Sequence, residues 1–537
     1  MENQLHYFDP AWIASRREVL EVDVCVYGGT ASGVVAAVAA ARLGRRVVLL
    51  NPGRHLGGMT TGGLGWTDFG RQYVIGGLSR QFYRAVGRFY GKEEEWTFAP
   101  SAARHVIEQW VKDAGIAVHP CQYLESAQRQ GNCLRAVTML GGLTVRARQF
   151  IDATYEGDLM ARAGVSFTVG REANSRYGET LNGIQVHKHH QFSHPVDPYV
   201  QEGVPASGLL PGIIAVDQTA HQGEGDHRVQ AYNFRVCMTD DPALKIAWAK
   251  PAGFDPRNYV LATRWFNGTK DQYNEQLPGF DPAHPGVPRK FDVLPTKTPG
   301  GFRKTDTNNH GPVSSDFIGA SWDWPLADYP ARERLFQAHV AYQQGFYWHL
   351  AFDSAIPARY REAYAAWGLP RDEFEDTAHW PHQLYVREGR RMVTDYVVTE
   401  HDCRATRRAR ESVGMGSYNM DSHNCVRFVK QENGRARVLN DGDVQVPPTD
   451  PYPIPLAAIV PVEKECANLV VPVCFSASHI AYGSARMEPV FMALGESAAY
   501  IADQALAEGR PVQAIDYPSL RQRLLKAGQV LETPVRQ

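Results

Sequence analysis

The sequence feature that most constrains the fold is a strand, a glycine-rich turn, a helix and a second strand near the start of the chain. Residues 22–26 read VDVCV and end at two glycines, as a buried parallel strand entering a tight turn does. Residues 32–43 are largely Gly, Ala and Val, which lets a helix lie close to a sheet, and residues 46–50 read RVVLL. This order predicts a βαβ unit within a Rossmann-like, doubly wound α/β domain.

The turn itself carries a dinucleotide-binding pattern. It reads GGTASG, which is related to G-x-G-x-x-G but has Thr30 at the second required glycine. Between a strand and a helix, the free N–H groups of the helix N-terminus neutralise a pyrophosphate. We therefore expect Gly28, Gly29, Thr30, Ser32 and Gly33 to bind a dinucleotide; the alternative is a purely structural turn.

A second glycine-rich segment follows the second strand. It runs from Asn51 to Gly65 and reads NPGRHLGGMTTGGLG. At the position of Asn51 an Asp or Glu normally binds the ribose, and an amide does so less strongly than a carboxylate. The glycines allow the backbone to pass close to a large planar ligand, with Thr hydroxyls and Arg54 beside it. A nicotinamide dehydrogenase does not need such a segment there.

Composition limits the partners. With 56 basic and 58 acidic residues the net charge is −2, so we expect no surface for nucleic acid or an anionic membrane. The longest apolar stretch is interrupted by Arg42 and Arg45 and is far shorter than the roughly 20 residues of a membrane span. Eight cysteines without a C-x-x-C pair, and histidines without a metal-ligand spacing, predict reduced thiols, a cytoplasmic location and no metal. The expected partner is a small-molecule substrate, and homo-oligomerisation is left open.

Periodicity and composition divide the chain into segments. The first has further strand and helix patterns, and the long middle is rich in Pro, Asn, Asp, His, Trp and Tyr, as in an α+β substrate domain with long loops. A strand pattern at 468–474 and an Ala-rich helix at 489–507 then return. We therefore expect a cofactor domain built from both chain ends with a substrate domain inserted. The boundaries are 20–170 and 451–515 for the two parts of the cofactor domain, 171–450 for the substrate domain and 516–537 for a C-terminal tail.

Seven blocks of the sequence resemble a known flavoprotein family. VDVCVYGGTASGVVAA, GRHLGGMTTGGLG, FIDATYEGDLMARAGVSFTVGRE, VQAYNFR, REGRRM, YNMDSHN and NLVVPVCFSASHIAYGSARMEPVFMALGESAA occur in this order over residues 22–505. They are similar to the FAD-dependent oxidoreductase family of the glutathione-reductase-type flavoprotein fold, which is related to the fumarate reductase flavoproteins. The resemblance implies that FAD is the cofactor.

The resemblance also implies positions along FAD. The first glycines lie at the pyrophosphate, Asn51 and Arg54 near the adenosine, and residues 58–63 beside the flavin. Asp152 and Asp158 follow the strand that returns to the phosphates, with helix capping as the alternative. The last helix directs its positive end at the flavin pyrimidine. The implied FAD residues beyond the first turn are Asn51, Arg54, His55, Gly57, Gly58, Met59, Thr60, Thr61, Gly62, Gly63, Asp152, Ala153, Asp158, Ser476, Arg486, Glu488, Phe491 and Met492.

Two histidines are the candidates for a catalytic base. Oxidation of a C–H beside an O–H requires a base for the heteroatom proton while the hydride goes to the flavin. His423 stands two residues after Asp421, and His479 follows the last strand. The alternative for each is a hydrogen-bonded structural histidine. Tyr418 and Asp421 are the next candidates, and Arg387 is an oxygen-binding fork or, alternatively, part of a salt-bridge network between lobes.

Together these features predict a flavoenzyme that oxidises a polar small molecule, most plausibly a secondary alcohol of a sugar or glycoside. The sugar is inferred from aromatic residues of the middle segment, namely Trp322, Trp324, Tyr347, Trp348, Trp367 and Trp380. Gly414 and Gly416 lack the third glycine and the helix of a second dinucleotide motif, which favours reoxidation by dioxygen or an external acceptor. Amine oxidation and double-bond reduction are alternatives of the same fold. A lyase, isomerase or binding protein with redox-neutral or structural FAD is the alternative of another class.

Overall fold

The computed structural model describes residues 5–268, 287–294 and 301–533. The α-helices are α1 (Ala31–Arg42), α2 (Gly77–Phe89), α3 (Pro100–Asp113), α4 (Asp158–Arg162), α5 (Asn174–Tyr177), α6 (Val260–Gly268), α7 (Tyr329–Phe352), α8 (Ala358–Ala365), α9 (Glu400–Cys403), α10 (Leu456–Ile459), α11 (His479–Ala485), α12 (Glu488–Glu508) and α13 (Tyr517–Lys526). The strands are β1 (Val19–Tyr27), β2 (Val47–Leu50), β3 (Ala117–His119), β4 (Leu124–Gln130), β5 (Cys133–Met139), β6 (Thr144–Asp152), β7 (Phe167–Thr168), β8 (Ile213–Ile214), β9 (Met238–Thr239), β10 (Lys245–Ile246), β11 (Phe291–Leu294), β12 (Lys304–Thr307), β13 (Leu369–Pro370), β14 (Arg391–Met392), β15 (Ser412–Gly416), β16 (Met420–Ser422), β17 (Val426–Glu432), β18 (Arg435–Asp441), β19 (Val444–Val446), β20 (Tyr452–Pro455) and β21 (Leu469–Val470).

The largest sheet has seven strands and combines both ends of the chain. Its order is β3-β2-β1-β6-β5-β4, and β21 pairs with β6. The pairs β1–β2, β2–β3, β1–β6 and β6–β21 are parallel, whereas β4–β5 and β5–β6 are antiparallel. The predicted βαβ unit is confirmed, and the parallel centre of the sheet ends at the glycine turn, where α/β folds bind ligands.

Small residues explain how the first helix packs. Gly, Ala and Val make up nearly all of α1, and its residues from Ala31 to Ala40 are buried. On α12, a Cβ atom added to Gly495 would lie 2.3 Å from the carbonyl oxygen of Ser32, so the two helices are in close contact there. Pro489 stands in the first turn of α12, the expected position for proline at a helix start.

The middle of the chain forms small sheets and one long helix. Strands β9, β11 and β12 form an antiparallel sheet, and β8, β17 and β18 form another three-stranded sheet. Helix α7 begins after Asp328, whose side chain accepts a hydrogen bond from the N–H of Ala331 and caps the helix. The domain boundaries at residues 170 and 450 stay predictions.

The structure corrects several expected elements. Strand β6 runs without a break from Thr144 to Asp152, because it pairs along its length with β1 from Val19 to Tyr27. The expected strand at 468–474 is only the two-residue β21. The predicted C-terminal tail contains α13, which buries Leu520 and Leu524. Within the described ranges, no helix is both long enough and apolar enough to cross a bilayer.

Candidate active site

A cavity of about 750 Å³ opens where β1 and β2 end. Six parts of the chain form it: the first glycine turn, the segment after β2, the segment after β6, and, without a motif to indicate them, residues 5–12, Phe336 of α7 and residues 377–384. Its lining residues are Leu5, His6, Tyr7, Trp12, Gly28, Gly29, Thr30, Asn51, Pro52, Gly53, Arg54, His55, Gly58, Thr154, Tyr155, Glu156, Phe336, Thr377, His382, Gln383 and Leu384.

The first turn is built for close backbone approach. Gly28 has φ +105°, and a Cβ atom on it would lie 2.7 Å from the backbone of Ala153 and Thr154. A Cβ on Gly33 would lie 1.9 Å from the carbonyl oxygen of Gly28. Thr30, the departure from the glycine pattern, caps α1 by accepting from the N–H of Gly33 and donates to the carbonyl oxygen of Ala153. Its hydroxyl therefore stabilises the turn from the position where a glycine is usual.

Asn51 has its side-chain hydrogen bonds inside the protein. Its Oδ1 atom accepts from the N–H of Gly29 at 2.9 Å, and its Nδ2 atom donates to the carbonyl oxygens of Gly53 at 2.9 Å and His55 at 2.8 Å. The amide thus ties the glycine turn to the segment after β2. Asn51 also lines the cavity, but the donors that were expected to serve a ribose are already used.

The second glycine segment is anchored by a buried carboxylate. Glu488, the first residue of α12, accepts hydrogen bonds from Thr60 Oγ1 at 2.8 Å and from the Tyr155 hydroxyl at 2.6 Å. The Tyr155 hydroxyl also accepts from the N–H of Met59. Burial raises the pKa of Glu488 to about 7, although both hydroxyl donors lower it. One titratable group, the Glu488 carboxyl, therefore holds the second glycine segment to the start of α12.

Asp152 and Asp158 are engaged within the protein. Asp152 accepts from the N–H groups of Thr154 and Met160, which is the capping alternative. Asp158 is paired with Arg332 and Arg390. Burial alone would raise the pKa of Asp158, but the two guanidinium groups outweigh it and lower the pKa to about 2. Neither carboxylate lines the cavity; Glu156, between them in sequence, does.

His423 lies in a buried network of charged side chains. Its Nδ1 atom is 2.8 Å from Asp316 Oδ2, and its Nε2 atom is 3.5 Å from Asp421 Oδ2. Arg486 donates to Asp421 at 3.2 Å and to the Tyr385 hydroxyl at 2.9 Å. Burial would raise the pKa of Asp421, but His423 and then Arg486 lower it to about 2. Tyr385 follows residues 382–384 of the cavity wall, whereas His423 itself does not line the cavity.

His479 is held on both sides of its ring. Its Nδ1 atom is 2.7 Å from Glu388 Oε2, and its Nε2 atom is 3.0 Å from Ser422 Oγ. All three residues are buried, with at most 2% of any of them exposed. The Ser–His–carboxylate connectivity of a hydrolase triad is thus present, but the three side chains line none of the cavities found in the described residues. This geometry corresponds to the structural alternative for His479.

Arg387 is also engaged within the protein. Its guanidinium donates to the carbonyl oxygen of Ala231, to Asn233 Oδ1 and to Asp316 Oδ1. With 2% of its surface exposed, it fits the salt-bridge alternative and orients the carboxylate that holds His423. The Tyr418 hydroxyl donates to Asp68 Oδ1 at 3.0 Å in a separate, open cavity. Because it is close to Asp68 and is also largely buried, Tyr418 has a raised pKa and is a poor base.

The aromatic residues that suggested sugar stacking lie mostly in the core. Trp324, Tyr347, Trp367 and Trp380 are each at most 1% exposed. They pack because large rings contribute most of the buried apolar area of a core. This part of the expectation was wrong for these four residues.

Comparison with known protein families identifies the chain. A family model described as FAD dependent oxidoreductase matches residues 23–524, nearly the whole length. The chain belongs to this family. FAD is therefore the cofactor, and the protein is an oxidoreductase. The glutathione-reductase-type subtype stays a prediction.

Other comparisons with the FAD-dependent oxidoreductase are partial. No curated protein matches its sequence. Bacillithiol disulfide reductase from Staphylococcus aureus is 16% identical over 25% of this chain and 38% of its own, with a TM-score of 0.19. A flavin-containing monooxygenase from Stenotrophomonas maltophilia is 20% identical over 31% of this chain and 46% of its own, with a TM-score of 0.20. L-proline dehydrogenase from P. horikoshii is 14% identical over 29% of this chain and 59% of its own, with a TM-score of 0.24. The matched regions thus span less than two thirds of each of these chains.

The first cavity fits FAD. The helix α1 N-terminus and the glycines without room for a Cβ form the cradle that a pyrophosphate requires. Of the predicted FAD residues, the cavity brings together Gly28, Gly29, Thr30, Asn51, Arg54, His55 and Gly58. The remaining ones do not line it, namely Ser32, Gly33, Gly57, Met59, Thr60, Thr61, Gly62, Gly63, Asp152, Ala153, Asp158, Ser476, Arg486, Glu488, Phe491 and Met492. Phe491 and Met492 are core residues. The FAD roles of all these residues stay predictions.

An N-terminal strap, residues 5–12, was missed by the sequence reasoning. Leu5, His6, Tyr7 and Trp12 line the cavity, and the carboxylate of Glu333 accepts from the N–H groups of Tyr7 and Phe8. Arg54 lies with its guanidinium carbon 5.2 Å from the centre of the Trp12 ring. A segment without a nucleotide-binding pattern offered no signal, because only the packing on α7 brings it to the cavity.

The wall opposite the turn carries two stacked histidines. The rings of His55 and His382 are 4.1 Å apart, and His55 Nε2 is 2.6 Å from Asp376 Oδ2. The hydrogen bond from His55 lowers the pKa of Asp376 to about 2, and burial followed by His55 lowers the pKa of His382. Burial also raises the pKa of Glu156 to about 7. His382 and Glu156 are therefore groups of the cavity wall that can be neutral.

Proposed function

We propose that the FAD-dependent oxidoreductase oxidises a secondary alcohol of a sugar or glycoside to a ketone, with His423 as the base. Bound FAD supplies the acceptor for the hydride that leaves the carbon. The observation that carries the proposal is the hydrogen bond of 2.8 Å between His423 Nδ1 and Asp316 Oδ2. It favours the tautomer with the proton on Nδ1, and Nε2, which lies 3.5 Å from Asp421 Oδ2, is the atom proposed to accept the hydroxyl proton.

The charges around His423 support this role. Asp316 is itself held by Arg387, and the combined effect of Arg387 and His423 outweighs burial and lowers its pKa. Asp421 lies on the other side of the imidazole. Carboxylates on two sides stabilise the imidazolium that forms when Nε2 takes a proton. Asp316 is thus a positioning residue that the sequence motifs did not indicate.

The reoxidation step is proposed to use dioxygen or an external acceptor. Gly414 and Gly416 belong to β15, which pairs with β20 over the residues from Ser412 to Gly416. They are therefore not part of a strand–turn–helix unit for a second dinucleotide. This supports an acceptor other than NAD(P)H.

An anaerobic substrate screen tests the proposal. The holoenzyme is mixed with sugars, glycosides, amines and hydroxy acids, and the loss of flavin absorbance is followed together with the oxidised product. We expect a sugar or glycoside to bleach the flavin with one ketone formed per flavin. If only amines bleach the flavin, the substrate is an amine and the proposed alcohol oxidation is contradicted. Product formation without bleaching would instead indicate redox-neutral FAD.

A further inference from the structure

A second, open cavity lies beside the glycine segment. It has a volume of about 1010 Å³ and is lined by residues 66–71, Tyr73, residues 417–419 and residues 447–451. Its first wall begins directly after Gly65, the last residue of the glycine segment. Its other wall includes Tyr418, three residues before Asp421 of the His423 network. The cavity adjoins the glycine segment, because a Cβ atom on Gly63 would lie 1.9 Å from the carbonyl oxygen of Arg235, and Arg235 Nη1 lies 4.0 Å from Asp68 Oδ2 in the cavity wall.

Two aromatic side chains in this cavity face solvent. Trp66 is 41% exposed and Tyr73 is 44% exposed, and no other Trp or Tyr in the described ranges exposes as large a fraction. Exposing large rings loses the free energy that their burial would provide, so a pair of them in one cavity indicates a ligand. The buried tryptophans of the middle segment are not available for this purpose.

The walls of the cavity are tied to each other. The N–H of Trp66 donates to Asp306, and the N–H of Arg71 donates to Ser417 Oγ. A Cβ on Gly70 would lie 2.4 Å from the carbonyl oxygen of Ser417, so the walls are in contact at that point. The aromatic rings thus stand on a fixed backbone, which lowers the entropy lost when a ligand binds.

The polar groups of the cavity are nearly balanced in charge. Asp68 accepts from the Tyr418 hydroxyl and lies 4.0 Å from Arg235 Nη1. Arg71 and Asp450 contribute one charge of each sign. Hydroxyl groups can donate to carboxylates and accept from guanidinium groups, whereas a charged ligand would leave one partner unmatched. A neutral, polyhydroxylated ligand with an apolar face matches both the rings and the polar groups.

We propose that this cavity binds a sugar ring of the substrate that is not itself oxidised, with Trp66 and Tyr73 as the stacking platform. The inference rests on the proposed function, since it names the substrate as an oligosaccharide or a glycoside with at least two sugar units. A monosaccharide would lack the contacts with the platform. It would therefore bind with lower affinity than the longer sugar.

Binding is measured first without turnover. The holoenzyme, with its flavin reduced beforehand under anaerobic conditions so that no sugar can be oxidised, is titrated with glucose, cellobiose, maltose and benzylamine by calorimetry, using the wild type, Trp66→Ala, Trp66→Phe and Phe352→Ala. Phe352 is 45% exposed at the end of α7, outside the cavity, and serves as the matched control. We expect a disaccharide to bind the wild type, with about tenfold weaker binding to Trp66→Ala, as the loss of an aromatic contact predicts. Trp66→Phe should recover most of the affinity, and Phe352→Ala should match the wild type.

The same variants then separate this inference from the proposed function. If a disaccharide binds through Trp66 but no sugar reduces the flavin, the stacking platform is supported and the proposed oxidation of sugars is contradicted. If a disaccharide reduces the flavin with the same half-saturating concentration in Trp66→Ala as in the wild type, the platform is wrong and the oxidation stands. Binding of benzylamine alone, or of no sugar, also overturns the platform.

Discussion

Glu488 Oε1 accepts a hydrogen bond of 2.6 Å from the hydroxyl of Tyr155, which joins the first residue of α12 to the segment after β6. The same carboxylate accepts from Thr60 in the glycine segment. One buried group thus links three parts of the chain that are far apart in sequence. Its protonation state therefore affects how firmly the glycine segment is held.

Glu488→Gln should remove a pH dependence of stability. The folded protein raises the pKa of Glu488 from 4.5 to about 7, so the unfolded chain releases this proton at a lower pH than the folded one. The wild type therefore loses stability as pH rises from about 4.5 to about 7, by about 3 kcal/mol at most. In thermal unfolding of FAD-depleted protein, the stability of the variant relative to the wild type should therefore increase as the pH rises through this window. A difference that stays constant with pH would contradict the role of Glu488.

Gly33→Ala should abolish FAD binding. The added Cβ would lie 1.9 Å from the carbonyl oxygen of Gly28 and would force the turn away from α1. The flavin released from purified protein should be FAD for the wild type and absent for the variant. Gly253→Ala is the control, because its Cβ would make an ordinary contact at 3.4 Å with Ala341. Release of FMN from the wild type would refute the dinucleotide assignment.

Substitutions of Asn51 should weaken FAD binding. If Asn51 bound the ribose, Asn51→Glu would retain or tighten FAD binding, because a carboxylate binds ribose hydroxyls more strongly than an amide does. The contacts predict the opposite, because neither Asp nor Glu can donate to the carbonyl oxygens of Gly53 and His55. Two lost hydrogen bonds correspond to about 2 kcal/mol. Titration of the FAD-free protein, with Asn51→Asp as the nearly isosteric variant, measures this; tighter binding would restore the ribose interpretation.

His423→Ala and His479→Ala should differ. The first should slow anaerobic flavin reduction by about 10²- to 10⁴-fold with an unchanged flavin spectrum, as the loss of a general base predicts. The second should mainly lower the melting temperature, because Glu388 and Ser422 would lose a buried partner. Asp316→Asn should shift the pH profile of reduction. If His479→Ala slows flavin reduction and His423→Ala does not, His479 is the base.

Much of the fold could be predicted from the sequence because its signals are local. The β-branched run before Gly28, the small residues of α1 and the proline at the start of α12 each specify backbone conformation or packing within a few residues. The glycines of the first turn are a local signal too, since the need for Gly33 arises from Gly28 five residues away. The dinucleotide turn and the parallel centre of the sheet followed from these signals, whereas FAD followed from the resemblance to a flavoprotein family.

Only the tertiary structure decided which polar side chains meet. His423 and Arg387 both contact Asp316, and His479 contacts Glu388 and Ser422. No periodicity or spacing in the sequence relates these partners. The sequence also offered no sign that the N-terminal strap would line a cavity or that Trp66 would be exposed in one. Trp324, Trp367 and Trp380 of the middle segment lie in the core. Long-range pairing depends on burial and on the geometry of the whole chain. For that reason the sequence determined the dinucleotide turn, and the packing of distant segments determined the candidate base and the shape of the site around it.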